Sequence, residues 1–311
     1  MKEGNLYQMR GHQRLCILFA MCTVASMACA EPITVEDCGQ IVRLNAPARR
    51  IVSLSAGSTE MLFALGVGDR IIGIDEGSDY PPAARKIKSV GPFLRPSLEK
   101  IVTLKPDLIV WVSPSSPRGI AAEISRRTKC PVFTIAAKSI TGIVRGFENM
   151  GALVGKVEHG RELAEDMAHG VETVRLRVSG QKRVRVFVEI ASPPSLMAAG
   201  PKSFINEAIN LAGGANVARH ARSPYPLVSL EALASLDPDV YIIPAEDRRQ
   251  LVILERVRAR PGYRTLRSIR EGKVYTVDPD YLLRPGPRLG EGILRLARLL
   301  HPEVFLPTTV E

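Results

Sequence analysis

The chain is poor in the residues that most often bind metal ions or attack substrates. It has five histidines and five cysteines among 311 residues, and three of the cysteines fall within the first thirty positions. Beyond that point, the histidines have no metal-ligand spacing with one another or with a cysteine. These histidines are His159, His169, His220 and His301. The sequence therefore predicts no metal site.

Motifs of the common enzyme classes are also missing. No serine stands in the spacing of a nucleophile elbow, and no histidine–carboxylate pair is indicated. The glycine-rich stretches match neither a P-loop nor a dinucleotide-binding fingerprint. We therefore expect no catalytic residues, and we expect that the protein is not an enzyme.

Aromatic residues make up only 5% of the chain, whereas its formal charge is +10 at pH 7. The lysines and arginines are scattered instead of forming one stripe, and no aromatic platform interleaves them. Proteins that bind nucleic acids concentrate basic and aromatic residues on one surface. The basic balance is therefore interpreted as a solvated surface, and no nucleic acid partner is expected.

The longest apolar run, over residues 15–28, is shorter than the roughly 20 residues that a spanning helix needs. A basic start precedes this run, and small residues follow it at positions 28–30. This pattern is typical of a cleavable secretory signal, so residues 1–30 are predicted to be removed and the protein to be periplasmic. Lipid anchoring at Cys29 is not favoured, because Ser26 stands where an aliphatic residue is usual.

Two cysteines, Cys38 and Cys130, remain after the predicted cleavage. An exported protein can close such a pair as a disulfide, and a loop of this length would add about 4–5 kcal/mol in the chain-entropy model. Two buried free thiols are the alternative, because the geometry that a disulfide needs cannot be read from sequence. The sequence leaves both alternatives open.

Two stretches that begin 132 positions apart are nearly identical. Residues 97–109 and 229–242 each contain Ser-Leu-Glu, four further residues, Leu-x-Pro-Asp and an apolar run. The serine and the acidic residue are typical of a helix start, the proline ends the short helix, and the apolar run predicts a buried strand. The repeated unit predicts two similar lobes with a cleft between them. It places Glu99 and Glu231 at equivalent positions.

Short predicted strands alternate with helices on both sides of a long amphipathic segment, which favours parallel sheets covered by helices. From Ser139 to about Ser179, apolar residues recur at three- and four-residue steps without a proline. One helix there would be about 60 Å long, whereas its glycines leave two abutting helices as the alternative. We predict an α/β protein with a lobe at 31–138, a connecting backbone helix at 139–180 and a similar lobe at 181–311.

Six motifs follow one another along this pattern. They are Arg50–Ser55 with Ser58-Thr59-Glu60, Ser78–Pro82, Leu98–Leu108, Gly213–Val217, Pro224–Ser229 and Arg284–Arg288. Together they resemble the periplasmic binding proteins of ABC importers for vitamin B12, ferric siderophores and haem, and most of all the vitamin B12-binding members. The resemblance covers nearly the whole chain after the signal. It implies two α/β lobes joined by one rigid backbone helix, and a permease with its ATPase in the inner membrane as the partner.

The resemblance also implies roles for particular residues. Glu99 and Glu231 match the two surface carboxylates, one on each lobe, that dock on arginines of the dimeric permease. The ligand-binding positions that it implies are Phe93, Tyr225, Gly77, Tyr80 and the loop Asp280-Tyr281-Leu282-Leu283-Arg284. Phe93 and Tyr225 stand where the enteric vitamin B12 binder has tryptophans, and Gly77 where it has a tyrosine, so the aromatic cage is lighter here.

The ligand that this resemblance favours is a corrinoid in the inter-lobe cleft, with no other cofactor. Haem and ferric siderophores are the alternatives. Haem-binding members often have a tyrosine iron ligand where this chain has Pro92, and Tyr80 or Tyr225 would have to replace it. Anionic siderophores are bound by arginines through charge-assisted hydrogen bonds. The loops offer Arg95, Arg222 and Arg284 for that purpose.

Overall fold

Two mainly parallel sheets, each covered by helices, form the framework of the protein. The computed structural model describes residues 31–37, 40–113, 118–245 and 250–305. The predicted signal peptide and Cys38 therefore lie outside the described residues. Within those ranges, no helix has both the length and the apolar content needed to cross a bilayer.

The first sheet uses strands from the N-terminal half of the chain. A separate antiparallel hairpin, β1 (Ile33–Asp37) and β2 (Gln40–Leu44), precedes its strands. The sheet strands are β3 (Ile51–Ser53), β4 (Ile71–Ile74), β5 (Leu108–Ser113) and β6 (Val132–Ala136). All four run parallel, in the order β4–β3–β5–β6. Strand β5 is buried along its whole length, as expected for an inner strand covered on both faces.

The second sheet uses strands from the C-terminal half. They are β7 (Val184–Ala191), β8 (Met197–Ala198), β9 (Gly214–Asn216), β10 (Val240–Pro244) and β11 (Val274–Val277). The order is β11–β10–β7–β8, and β9 also pairs with the first residues of β7. Only β8 runs antiparallel to its neighbour among the described strands of this sheet. The predicted α/β class with two similar lobes is confirmed.

Eleven helices are described around the two sheets. They are α1 (Ala56–Ala64), α2 (Leu98–Leu104), α3 (Arg118–Thr128), α4 (Ile140–Leu153), α5 (Val157–Arg177), α6 (Phe204–Leu211), α7 (Leu230–Leu236), α8 (Gln250–Arg258), α9 (Arg267–Arg270), α10 (Pro279–Leu282) and α11 (Leu289–Leu300). Helix α1 is capped by Ser55. The Ser58 side chain points inward and contacts Ser53 and Ser55.

The connecting segment is two helices instead of one 60 Å rod. The chain breaks between α4 and α5, where Gly155 has a φ of +70° that favours glycine. The two helices then pack against each other at Gly151 and Gly160, where a Cβ atom on Gly151 would lie 2.9 Å from the Gly160 Cα. Helix α5 also packs against α6 and α11 of the second lobe, so it is the long backbone helix, about 32 Å from end to end.

The repeated sequence unit folds into the same structure twice. Ser97 and Ser229 cap α2 and α7, and each helix ends on a left-handed residue, Lys105 or Asp237. Strand β5 or β10 follows. These features confirm the helix–turn–strand unit that the sequence predicts.

The equivalence extends to an arginine that the sequence repeat does not include. Arg50 donates to Lys105 O at 3.0 Å and Leu104 O at 2.5 Å, and its backbone N–H donates to Asp107. In the second lobe, Arg185 makes the same contacts with Asp237 O, Leu236 O and the Asp239 carboxylate. Each arginine thus fixes a helix end beside the first residues of a sheet strand.

The lobes also touch directly. A Cβ atom on Gly57, in the first turn of α1, would lie 2.5 Å from Pro285 O in the second lobe. The Glu207 carboxylate on α6 accepts a hydrogen bond of 2.7 Å from the backbone N–H of Ile140, at the start of α4. The first contact joins the two lobes directly, and the second joins the connecting segment to the second lobe.

Candidate ligand-binding cleft

A cleft of about 580 Å³ lies between the lobes, at the carboxyl ends of strands from both sheets. Ser55 and Asp75 follow β3 and β4, and Val112 and Ile190 belong to the last residues of β5 and β7. Ligands of open α/β sheets bind at this edge, and the volume is typical of small-molecule sites. Other parts of the wall are formed by Ala56, Gly57, Met197, Phe204, Ile205 and Pro285.

Phe93, predicted to bind ligand, lines the first-lobe wall of this cleft. Its ring meets Trp111 edge-on, with centroids 5.7 Å apart and planes at 76°. Trp111 is the single tryptophan of the chain, and it is buried in the core cluster behind Phe93. Because Phe93 contacts both the cleft and Trp111, tryptophan fluorescence is positioned to report on the cleft.

Tyr225, also predicted to bind ligand, lines the second-lobe wall. Its side chain is half-buried and packs against the main hydrophobic core. Burial raises the pKa of the Tyr225 phenol to about 12. The ring is therefore a neutral aromatic surface at physiological pH.

The remaining predicted ligand residues separate into two groups. Gly77, Leu283 and Arg284 line the cleft. Leu282 is fully buried in the core. Tyr80 and Tyr281 lie on Arg288, whose guanidinium carbon is 4.1 and 5.2 Å from their ring centroids, and Asp280 forms ion pairs with Arg284 and Arg288. For all of the predicted ligand-binding residues, including those that line the cleft, a direct ligand contact remains a prediction.

Arg284 and Arg288 belong to a group of charges that joins the lobes, here called the inter-lobe ion cluster. Its first-lobe members are Glu60 and Asp79, and its second-lobe members are Asp280, Arg284 and Arg288. Arg288 donates two hydrogen bonds, of 2.9 and 2.6 Å, to the buried Glu60 carboxylate. Arg284 binds Asp79 at 2.7 Å, Asp280 at 2.9 Å and Glu60 at 3.4 Å. The positive charge of Arg284 at the cleft wall is therefore compensated within the protein.

The pKa of Asp79 reflects its place in this cluster. Partial burial acts to raise the pKa, but the hydrogen bond and the charge of Arg284 outweigh it and lower the pKa below its ordinary value of 3.8. Asp79 is thus an ionised partner of Arg284 at neutral pH.

A chain of buried hydroxyl groups, here called the hydroxyl chain, links two parts of the cleft wall. It runs from Ser55 through Ser58, Ser53 and Thr59 to Ser78, which contacts Asp75 at 2.5 Å. Asp75 is 3% exposed, and its other carboxylate oxygen accepts from the Gly77 backbone N–H at 3.0 Å. Burial raises the pKa of Asp75 above its ordinary value of 3.8, outweighing these hydrogen bonds and the charge of Arg284.

Metal-binding side chains do not gather in the described part of the chain, where no group of three or more His, Cys, Asp or Glu residues is placed to hold an ion. Cys130 is a buried free thiol whose pKa is raised to about 12, chiefly by burial and also by the charge of Asp107. Cys38, with which a disulfide was one of two alternatives, lies outside the described residues, so the choice between the alternatives is not tested.

A second cavity of similar volume is lined by residues of α4, α5 and α11. Charged side chains, including Asp166, Arg177 and Arg298, line part of it. It has no wall from the carboxyl ends of the sheet strands. The inter-lobe cleft is therefore the stronger candidate for the ligand site.

The two predicted docking carboxylates lie outside the cleft lining. Glu99 and Glu231 are the second residues of α2 and α7, and both are exposed. Hydrogen bonds from its own backbone N–H and from Ser229 lower the pKa of Glu231. The repeat thus presents one accessible carboxylate on each lobe.

Several wall residues were not predicted from the sequence, among them Ser55, Gly57, Asp75 and Phe204. Ser55 and Asp75 could have been predicted from their positions, because each directly follows a short apolar strand in a parallel sheet, where ligands bind. Phe204 has no such signal, because its pattern is that of a capped amphipathic helix.

The sequence pattern of the periplasmic binding protein family matches residues 51–281, and the chain belongs to this family. It is 28% identical to an uncharacterized ABC transporter substrate-binding lipoprotein, YvrC, of Bacillus subtilis, over 88% of this chain and 87% of that protein. It is 29% identical to the vitamin B12-binding protein of Vibrio cholerae serotype O1, over 82% of this chain and 90% of that protein.

The fold agrees with this membership. The crystal structure of the periplasmic vitamin B12-binding protein BtuF of Vibrio cholerae superposes with a TM-score of 0.73 at 27% identity. The match covers 82% of this chain and 98% of that one. The family predicted from the sequence motifs is confirmed.

Proposed function

We propose that this protein is the substrate-binding component of an ABC importer, and that it carries a corrinoid in the inter-lobe cleft to the permease and its ATPase. The similarity to vitamin B12-binding proteins over more than four fifths of the chain supports the assignment. The observation that carries the choice of ligand is the character of the cleft wall.

That wall is mainly apolar and aromatic. Phe93, Tyr225, Phe204 and Leu283 form large parts of it, and its one cationic side chain, Arg284, is already paired with three carboxylates. Such a surface suits a large ligand with an extended apolar face and neutral polar groups, because the positive charge of Arg284 already has partners within the protein. A corrinoid with its amide side chains has this chemistry.

The haem alternative is less well supported by the tyrosines. Ferric iron binds tyrosine as a phenolate, whereas burial raises the pKa of Tyr225 to about 12 and so favours the neutral phenol. Tyr80 lies on Arg288 and does not line the cleft. Neither residue is therefore well suited to replace the iron ligand whose position is occupied by Pro92.

The siderophore alternative loses two of the three arginines on which it depends. Arg95 and Arg222 are exposed and do not line the cleft, and Arg284 is neutralised by its carboxylate partners. An anionic siderophore would therefore meet no unpaired positive charge on the described wall.

Delivery to the permease is assigned to Glu99 and Glu231. Their equivalent, exposed positions on the two lobes suit a partner with twofold symmetry. The same proposal includes cleavage of residues 1–30, a periplasmic location without a lipid anchor, and the absence of catalysis. It also includes the lobe limits at 31–138, 139–180 and 181–311. Because one relative is a lipoprotein, mass spectrometry of the purified protein should test whether Cys29 is acylated.

Titration calorimetry with cyanocobalamin, haemin and a ferric hydroxamate tests the ligand. We expect cyanocobalamin to bind most tightly, and tenfold tighter binding of either iron chelate would overturn the corrinoid assignment. The visible spectrum of protein purified from its native host provides an independent check, because corrinoid bands, a Soret band and ferric charge-transfer absorption are distinct.

A further inference from the structure

Asp75 is an unusual residue for the wall of this cleft. It is 3% exposed and lines a mainly apolar cavity, yet its carboxyl group forms no ion pair among the described side chains. A buried carboxylate without a paired cation is strongly disfavoured unless it takes up a proton. The hydrogen bonds around Asp75 can also be filled by the protonated form.

The hydroxyl chain can be followed from its fixed end. Ser55 Oγ accepts hydrogen bonds from the backbone N–H of Val112 at 3.0 Å and from that of Ser58 at 3.4 Å. With both lone pairs used, the Ser55 hydroxyl donates to Ser58 Oγ at 2.7 Å. Ser58 in turn donates to the Ser55 carbonyl at 2.9 Å, so the hydrogens of both hydroxyl groups are assigned.

The other hydroxyl groups continue this series of short contacts. Ser53 donates to Ser58 at 2.7 Å, and Thr59 donates to Ser53 at 2.8 Å. In the 2.7 Å contact between Thr59 and Ser78, either hydroxyl group can be the donor. Ser78 donates the 2.5 Å hydrogen bond to an ionised Asp75, whereas a protonated Asp75 carboxyl can donate to Ser78 when Ser78 donates to Thr59.

We propose that Asp75 is a ligand-binding residue that acts as a neutral carboxylic acid, and that it keeps the cleft wall uncharged where the ligand covers it. This inference rests on the proposed use of the inter-lobe cleft. It implies that the ligand face against Asp75 carries no positive charge. A ligand that displaces water from the cleft disfavours the ionised form further, so binding is coupled to proton retention.

Other charged groups near Asp75 are already accounted for. Glu60, Asp79, Asp280 and Arg288 belong with Arg284 to the inter-lobe ion cluster, and Arg284 is the cation whose charge acts on Asp75. On the neighbouring loops, Glu76, Lys88 and Arg95 are exposed. Across the cleft, Tyr225 stays neutral because burial raises its pKa to about 12. Asp75 is therefore the cleft-lining carboxyl group expected to titrate as pH rises.

Calorimetric titration with cyanocobalamin over a range of pH tests the proposal, with Asp75→Asn as the neutral isostere and Glu76→Gln as the matched control. The wild-type affinity should fall as pH rises through the pKa of Asp75, by at most tenfold per pH unit for one proton. Asp75→Asn should lose this dependence, because its amide stays neutral at every pH of the titration. Glu76→Gln should follow the wild type.

Identical pH profiles for wild type and Asp75→Asn, or an affinity that rises with pH, would overturn the proposal. If cyanocobalamin does not bind at any pH, the corrinoid assignment fails, and whichever iron chelate binds takes its place in the same titration. The carboxyl-carbon NMR signal lost in Asp75→Asn gives a ligand-free test. A midpoint at the ordinary aspartate value would overturn the neutral acid whatever the ligand.

Discussion

At the scale of single residues, the cleft depends on two aromatic rings that the family resemblance indicated and on polar groups that it did not. Phe93 and Tyr225 occupy opposite walls, one from each lobe. Aromatic side chains that pack on a desolvated ligand face dominate many binding sites. Their contributions can be separated from those of the polar groups by substitution.

Phe93→Ala and Tyr225→Ala should each weaken binding of cyanocobalamin by about 1–3 kcal/mol, because each removes a ring from the cleft wall. Tyr225→Phe is the matched control, because it keeps the ring and removes the hydroxyl group. Fluorescence titration of Trp111, supported by calorimetry, measures the change. A large loss in Tyr225→Phe would indicate that the hydroxyl binds the ligand, and unchanged affinity in both alanine variants would place the site elsewhere.

Asp79 should make folding stability depend on pH in the acidic range. Its pKa is lowered in the folded protein, so its contribution is present above the ordinary value of 3.8 and is lost as pH falls through the folded pKa. The free energy of unfolding in urea, measured from pH 6 to pH 2.5, should therefore fall less steeply in Asp79→Asn than in the wild type. Parallel curves for the two proteins would contradict the prediction.

Glu60 is the buried centre of the inter-lobe ion cluster. Replacing it by Gln leaves Arg288 without its main partner, and breaking a buried ion pair usually costs about 3–5 kcal/mol. Glu123→Gln is the control, because its pair with Arg127 is exposed and should contribute less than about 1 kcal/mol. Urea unfolding measures both. Equal losses in the two variants would show that the cluster adds no special stability.

At the scale of secondary-structure elements, the duplicated helix–turn–strand unit explains how two distant carboxylates become equivalent. In each lobe the serine cap, the left-handed helix end and the arginine contacts fix a seven-residue helix against its sheet. A helix this short is marginal in isolation, so these contacts supply the stability that its length does not.

Glu99→Ala and Glu231→Ala should each leave ligand affinity unchanged, because neither side chain lines the cleft. Each should slow ligand uptake by vesicles containing the permease, and the double variant should lose most of it. Truncating a charge that is buried against arginine in an interface costs about 2–5 kcal/mol. Docking should also weaken with added salt. Glu123→Ala is the control, and wild-type uptake in the double variant would show that both carboxylates are only helix-start residues.

At the scale of the whole molecule, the lobes are joined by α5 and by contacts that cross between them. In the described residues, no strand of one sheet continues into the other. The packed helix, the inter-lobe ion cluster and the contact of Gly57 with Pro285 all oppose a wide swing. A packed helix bends less readily than loop residues rotate.

Lobe closure on ligand should therefore be a few degrees, and the radius of gyration from small-angle X-ray scattering should change little when cyanocobalamin is added. Glu60→Gln is an informative comparison, because it loosens the ion cluster and leaves α5 intact. A large decrease on ligand addition in the wild type would refute the rigid connection. A large decrease only in Glu60→Gln would show that the ion cluster, rather than α5, limits closure.

The sequence by itself determined the features that depend on neighbours along the chain. Serine caps, short apolar runs that form strands and the Leu-x-Pro-Asp turns each depend on only a few neighbouring residues. The α/β class and the repeat were therefore predictable. The motifs, in their order, also indicated the family. The break after Leu153 was open in the sequence, because glycines permit a turn but do not require one.

Only the tertiary structure decided what lies together across long separations. Gly151 and Gly160 favour two helices because their backbones pack closely, a gain that exists only once the helices are side by side. Arg288 and Glu60 are 228 positions apart, and neither motif predicts the other. Asp75 looks like an ordinary acidic loop residue in the sequence. The neutral form that we propose for it rests on burial and on hydroxyl groups of β3, α1 and the 75–79 loop, whose distances to one another are set by the folded sheet.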